Sequence, residues 1–478
     1  MQFLKKTASA LLMATGLFAL STTSFATNGY FTHGVGTASK GMAGTGVGSN
    51  ANMGTIMTAS NPALGVFVDD SWEAGLSFFS PRRSYEASDF LSSSQGAPID
   101  IGGGVFLPTH SIASGKVDSS SEWFPIPYVA KNWSLQNDRN ISVAFYGRGG
   151  MNTDWDDANA SATSFFCGVD PITNGPATGP GPYCAGVAGV DLMQAFINVN
   201  YSAMIGDNFS FGIGPVIGMQ MFEARGVGTF AAVTKTLATT GDINQVTSLT
   251  DNGHDFSYGF GLAAGIWWGI SDNVSLGLSY QSKLSMEEFS DYSDLFAEAG
   301  GFDIPSSLKA GLSFKASEAV RINFDVEHTA FSEVDSVGNS MVNLFGCSLL
   351  PLGSTSPEPC LGGSQGAGFG WDDMTTYKVG VEWATDSNNV WRLGYSYGEQ
   401  PVQEIDVLFN ILAPGVMEQH ITFGWTRTRD NGHQFAMSLM YAPENEVTGP
   451  SLFDPLQTVT LSMSQFEFEF AYRWGSGR

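Results

Sequence analysis

The chain has 478 residues, only 14% of them charged, and its 21 Lys and Arg against 46 Asp and Glu leave a net charge of −25. That balance argues against nucleic acid or an anionic surface as a partner, because either would need a basic face. Mean hydropathy is zero, yet 13% of residues are aromatic and 58 are Gly, so apolar and polar residues are mixed finely, as in strands. No Pro/Ser-rich linker marks a boundary, and one large unit is expected.

Lys5 and Lys6 precede an apolar run from Ala10 to Leu20, and Ser24-Phe25-Ala26 supplies the small residues that signal peptidase requires. A signal peptide over 1–26 and a mature chain starting near Thr27 are expected. The run is too short to cross a bilayer, and no later stretch reaches about 18 consecutive apolar residues. A helical membrane protein is excluded, and a secreted, periplasmic or outer-membrane protein remains. The next segment is rich in Gly and ends Asn61-Pro62-Ala63-Leu64.

From Val66 the chain reads with a period of two. Val320, Ile322, Phe324 and Val326 alternate with Arg321, Asn323, Asp325 and Glu327. Tyr377 to Trp383, Trp391 to Tyr397 and Phe435 to Tyr441 repeat the pattern. Similar segments begin near Trp72, Glu122, Ile141, Asp191, Phe209, Asp255, Val274, Phe302, Gln419 and Thr458, for about fourteen in all. An even count suits a closed barrel. Short polar turns near Gln136, Gly206, Ser271, Ser317, Asp386 and Arg429 alternate with long connections, as periplasmic turns and extracellular loops do. A secreted sandwich or solenoid is the rival, but the greasy face carries Trp, Tyr and Phe toward strand ends, as an aromatic girdle would. In the last strand Val459, Leu461 and Met463 are odd-numbered whereas Phe466, Phe468, Phe470, Tyr472 and Trp474 are even-numbered, so a β-bulge is expected near Ser464.

Cys167 and Cys184 fall in one long loop, and Cys347 and Cys360 in another. In an oxidising, exported setting two local disulfides are the simplest pairing, each removing roughly 3 kcal/mol of loop entropy from the unfolded chain. Zinc is the rival, but neither pair has ligand spacing and no His lies near them in sequence. No metal and no cofactor are expected. There is no P-loop and no GxSxG elbow, and Asp154-Trp155-Asp156-Asp157 fails the EF-hand pattern, so an enzyme is not expected.

Gly34-Val35-Gly36, Gly41-Met42-Ala43-Gly44 and Asn61-Pro62-Ala63 resemble the hatch and NPA motif of the FadL/OmpP1/TodX outer-membrane transporters of hydrophobic compounds. Trp371-Asp372-Asp373, Tyr377-Lys378-Val379-Gly380, Trp391-Arg392-Leu393-Gly394-Tyr395 and Pro401-Val402 extend the resemblance over the mature chain. It implies an all-β fold: a transmembrane antiparallel β-barrel of about fourteen strands over 66–478, with an N-terminal hatch, 27–65, plugging the lumen of a monomer. It further implies residence in the bacterial outer membrane, among lipid and lipopolysaccharide and placed there by the insertion machinery. Passive uptake of long-chain fatty acids, or of aromatic or aliphatic hydrocarbons, follows. Ligand is captured by outer loops, held at an apolar site beside the hatch, and released sideways at a kink in the third strand.

Gly147, Gly149 and Gly150 are the candidates for that kink, since glycines weaken pairing and permit bulges, although they also suit a wall crowded against the hatch. A lateral route makes physical sense: about sixteen methylenes at ~0.8 kcal/mol each give on the order of 13 kcal/mol of gross burial, which a watery pore would forfeit. A fatty-acid carboxylate needs a cation once desolvated. Alternation turns Arg148, Lys283, Lys309, Arg321, Lys378 and Arg392 inward, with Arg225 near the top of the fifth strand. Asp325, Glu327, Glu382, Glu467 and Glu469 also face inward, so lumen ion pairs account for these cations equally. Phe196, Phe222 and Trp267 are candidates for an apolar pocket or for packing against the hatch.

Overall fold

A computed structural model of the protein describes residues 28–51, 53–89, 96, 99–100, 106–107, 109–350 and 353–475. The expected signal peptide, 1–26, lies outside these residues.

Fourteen antiparallel strands form the wall. They are β1 (Ser71–Ala87), β2 (Phe124–Leu135), β3 (Arg139–Trp155), β4 (Ala188–Ile205), β5 (Phe209–Arg225), β6 (Asp255–Ser271) and β7 (Val274–Gln281). Then come β8 (Ser307–Lys315), β9 (Val320–Thr329), β10 (Met374–Ala384), β11 (Asn389–Gly398), β12 (Gln419–Thr428), β13 (Gln434–Ser451) and β14 (Asp454–Gly475). Each strand pairs with its neighbours in sequence, and a β1–β14 ladder closes the ring. Lipid imposes that closure, because an open sheet edge would leave polar backbone groups in hydrocarbon. No helix among the described residues is long and apolar enough to cross a membrane.

Residues 136–138, 206–208, 272–273, 316–319, 385–388 and 429–433 make the short turns at one end. The connections at the other end are long, with one exception. β13 and β14 run on for 18 and 22 residues as a projecting hairpin, closed by Leu452 and Phe453 alone.

Alternation sets the two faces. On β9, Phe324 and Val326 are exposed on the outside, while Asn323, Asp325 and Glu327 are buried inside. Trp72, Trp133, Trp268 and Trp474 are exposed near the short-turn end, and Tyr258, Tyr280, Tyr377 and Tyr397 near the loop end, giving the two aromatic belts of an outer-membrane barrel.

The last strand corrects one expectation. β14 pairs with β1 in unbroken register from Ser71–Gly475 to Ala87–Val459, so no residue is inserted at Ser464. The irregularity lies on β13, where the register jumps between Ala442 and Asn445. Val459, Leu461 and Met463 therefore point inward and are fully buried, as Glu467 and Glu469 also are. The sequence misleads here because the upper lumen is apolar, so an apolar residue need not face lipid.

Residues 28–51 and 53–68 touch the inner face of all fourteen strands, through hydrogen bonds and close contacts to β1–β12 and β14 and through α1 (Thr37–Lys40) against β13. The Asn-Pro-Ala motif has a plain structural reason. Asn61 caps the 3₁₀ turn Pro62–Phe67 by accepting from Ala63 N at 3.0 Å, and Pro at the first position needs no donor. The Asn61 amide also donates to Val47 O at 2.9 Å and Ile266 O at 3.1 Å. Paired wall glycines admit this backbone: a Cβ on Gly265 would lie 2.0 Å from Asn61 Oδ1, and one on Gly212 2.3 Å from the Pro62 carbonyl carbon.

Candidate functional site: an ionic floor, an apolar chamber and a break in the wall

The floor is a charge network between the N-terminal segment and the wall. Lys40 Nζ donates to Glu467 at 2.5 Å and Glu469 at 2.6 Å, all three side chains being buried. Thr37 adds a 2.6 Å bond to Glu469, and the His33 ring lies 3.4 Å from Glu467 and stacks on His420. Asp325 accepts from Gly46 N at 2.8 Å and Val47 N at 3.0 Å.

A second cluster centres on Glu327. Lys378 donates to it at 2.7 Å, Lys309 at 3.0 Å and Arg148 at 3.2 Å. Lys378 also donates to His33 O at 2.9 Å. Arg148 crosses from β3 to Gln281 at 3.1 Å and Ser307 at 3.3 Å, with its guanidinium 4.5 Å from the centre of the Phe31 ring. Three cations thus converge on the single carboxylate of Glu327, while the adjoining Lys40 group sets two carboxylates on one ammonium.

Above this floor the upper lumen forms an apolar chamber filled by buried aromatic and aliphatic side chains. Tyr30 lies between Phe31, Phe331 and Trp371, with ring centres 4.7, 5.2 and 5.7 Å away. Phe196 stacks on Tyr146 at 5.6 Å, and Phe222 packs on Tyr292 and Phe296 at 4.9 and 4.6 Å. Val459, Leu461 and Met463 join the same buried cluster. The outer loops roof it. The segment around α2 (Val407–Asn410) is held from below, where Trp155 Nε1 donates to Ile411 O at 3.0 Å, Tyr183 OH to Leu408 O at 2.8 Å and Trp371 Nε1 to Asn410 Oδ1 at 2.6 Å.

Both expected disulfides, Cys167–Cys184 and Cys347–Cys360, are present in this roof. His110, remote in sequence, comes within 4.8 Å of the Cys167 and Cys184 sulfurs, which sequence proximity did not reveal. The sulfurs are bonded to each other and so offer no thiolates to a metal. His110 Nε2 donates to Pro182 O at 2.7 Å, and burial holds its pKa below the ordinary value. The folded loop therefore favours the neutral ring, whereas the opened loop binds a proton near pH 6.5, so this contact loses stability as pH falls below that point. Hydrogen exchange at Ile112 and Ser164, corrected for intrinsic rates, is expected to quicken several-fold from about pH 7.5 to about pH 5.5, and a His110→Gln variant should flatten the dependence.

The wall breaks between β2 and β3. Their ladder runs from Leu135–Arg139 only to Tyr128–Tyr146, and the chains meet again where Ser120 N donates to Asp154 O at 3.0 Å. Between these points β3 bulges at Arg148, which is skipped in pairing with β4, and turns to the N-terminal segment. Thr32 N donates to Arg148 O at 2.8 Å, and Gly150 N to Tyr30 O at 3.0 Å. A Cβ on Gly149 would sit 2.2 Å from Gln194 Oε1 and 3.1 Å from the Phe31 ring.

The structure thus joins Arg148 and Lys378 at Glu327 and sets Gly147, Gly149 and Gly150 at the break. Phe196 and Phe222 line the chamber. Arg225 lies apart at the rim, 3.5 Å from Asp154. Trp267 belongs to the lower cluster with Met42, Met57 and Leu64, donating to Gly48 O at 3.1 Å. Lys40, Tyr30 and Phe31 carried no signal in sequence, because the segment that holds them has no period.

The family model for outer membrane transport proteins (OMPP1/FadL/TodX) matches residues 18–449. No curated protein matches the chain. Among solved structures, the Pseudomonas putida toluene transporter TodX is similar at 15% identity with a TM-score of 0.58, over 93% of this chain and 99% of that one. A Pseudomonas aeruginosa FadL homologue is similar at 14% identity and 0.59, over 94% and 100%. The Ralstonia pickettii toluene transporter TbuX is similar at 14% identity and 0.55, over 93% and 99%. With a closed fourteen-stranded wall and a family match over most of its length, the chain belongs to the OMPP1/FadL/TodX family of outer-membrane transporters of hydrophobic compounds.

Proposed function

We propose that the chain takes up long-chain fatty acids, holding the acyl chain in the apolar chamber and the carboxylate at Arg148 and its neighbours Lys309 and Lys378. The observation that carries this reading is the convergence of Arg148, Lys309 and Lys378 on one carboxylate, Glu327, set directly beneath apolar side chains. A desolvated carboxylate needs such a partner, whereas a strict hydrocarbon carrier has no use for it. Residues 28–68 act as the hatch, anchored by Lys40 and Asn61. Release is sideways, through the break between β2 and β3, and Arg148 lies at both the floor and the break, so ligand occupancy and the kinked edge share one side chain. Phe196 and Phe222 line the route, while Trp267 supports the hatch and Arg225 guards the rim.

Uptake of hydrocarbons by the same path is the second reading, favoured by the ion pairs that already engage Arg148, Lys309 and Lys378 with Glu327 and by the toluene transporters among the similar folds. Labelled oleate bound to the detergent-exchanged protein separates the two. Fatty-acid uptake requires that oleate bind and that its methyl ester, toluene and an alkane compete at least tenfold less well, about 1.4 kcal/mol. Equal competition would hand the site to hydrocarbons, and absence of all binding would end both readings.

A further inference from the structure

The edge of β2 that faces the break carries Pro125 and Pro127. β2 pairs with β1 without interruption from Phe124–Phe79 to Asn132–Ser71. A proline has no N–H to give to a ladder, so the nitrogens of both prolines lie on the opposite edge, toward β3. Continuing the β2–β3 register past Tyr128–Tyr146 would set Pro127 opposite Gly147 and Pro125 opposite Gly149. Those are the first two rungs that the wall lacks, and Gly149 is the residue that bridges to Phe31 instead.

We propose that Pro125 and Pro127 are positioning residues that keep the wall open: by withholding two backbone donors, they stop β2 from zipping onto β3 and leave the β3 edge to the N-terminal segment. Two physical effects converge. Without its proline donor each of these rungs keeps at most one of its two bonds, and two N–H groups that would otherwise face an apolar break, each costly to desolvate unpaired, are absent. The β3 edge is satisfied separately, through Thr32 N to Arg148 O and Gly150 N to Tyr30 O. One side of the break is thus capped by the hatch and the other by imino acids, a division of labour that glycine flexibility in β3 does not provide. This inference rests on the lateral-release reading above.

The test is the Pro125→Ala, Pro127→Ala double variant, with each single variant alongside in case the double fails to insert. Hydrogen exchange over 124–128 and 147–153 is measured together with oleate delivery from the reconstituted barrel into liposomes. New protection at both substituted positions, with delivery slowed about tenfold and oleate binding in detergent unchanged, is the expected result. New protection with unchanged delivery would keep the prolines as the spacer but remove the lateral route. No new protection, in a barrel that retains its heat-modifiable mobility, would overturn the proposal whatever happens to delivery. A Val129→Ala control, below the break, should change neither readout.

Discussion

Lys40→Met is expected to unseat the N-terminal segment and turn a tight barrel into a leaky one. Glu467 and Glu469 both depend on that ammonium, at 2.5 and 2.6 Å, and all three groups are buried. Removing one member of a buried ion cluster leaves charge uncompensated at a cost of about 3–5 kcal/mol. The wall, held by its ladders, should survive, and the loss should fall on the segment. Single-barrel conductance in planar bilayers should rise, and a protease added from the short-turn side should cut within residues 28–68. Adding Glu467→Gln and Glu469→Gln removes the orphaned charges and should restore much of the seal. Unchanged conductance in the single variant would mean that the Asn61 anchor and the Asp325 contacts to Gly46 and Val47 hold the segment unaided.

Arg148→Gln should split the ligands by charge. Glu327 keeps Lys309 and Lys378 at 3.0 and 2.7 Å, so the cluster stays neutralised and the fold intact. What disappears is a charged donor beside the chamber, worth about 1.5–3 kcal/mol to a bound carboxylate. Oleate affinity should fall roughly 10- to 100-fold while toluene and methyl oleate bind as before. Equal loss for every ligand would assign Arg148 to the shape of the kink alone, through its carbonyl bond to Thr32 and its place over Phe31.

The barrel was legible because lipid outside and a packed lumen inside impose a period of two on nearly every strand. Val320 to Glu327 is the clearest stretch, and the short turns gave the pairing order. The same logic failed at Val459, Leu461 and Met463, where both faces are apolar and parity loses its meaning. It also passed over Pro125 and Pro127, which look like ordinary strand-edge residues until the missing ladder beside them is seen. The inward cations were readable one by one, but their convergence on Glu327 was not: Lys309 and Lys378 come from the flanking strands β8 and β10, whereas Arg148 reaches it across the lumen from β3. The N-terminal segment was visible through Asn61-Pro62-Ala63 and its glycines, whereas the importance of Lys40 depends on contacts made more than 400 positions away, at separations of 427 and 429 residues.

Those distant contacts bear on how the molecule is built. Glu467 and Glu469 lie on β14, and Glu73, which accepts from Thr55 N and from Tyr128 OH at 2.8 Å, lies on β1. These two strands form the seam where the beginning and the end of the sheet are joined, and Ser77 on β1 reaches across it to Glu467. The N-terminal segment therefore straddles the joint that closes the ring. Closure of the cylinder and seating of its inner segment are therefore coupled: a ring closed around an empty lumen would leave Glu467 and Glu469 without the Lys40 ammonium and Glu73 without its Thr55 donor.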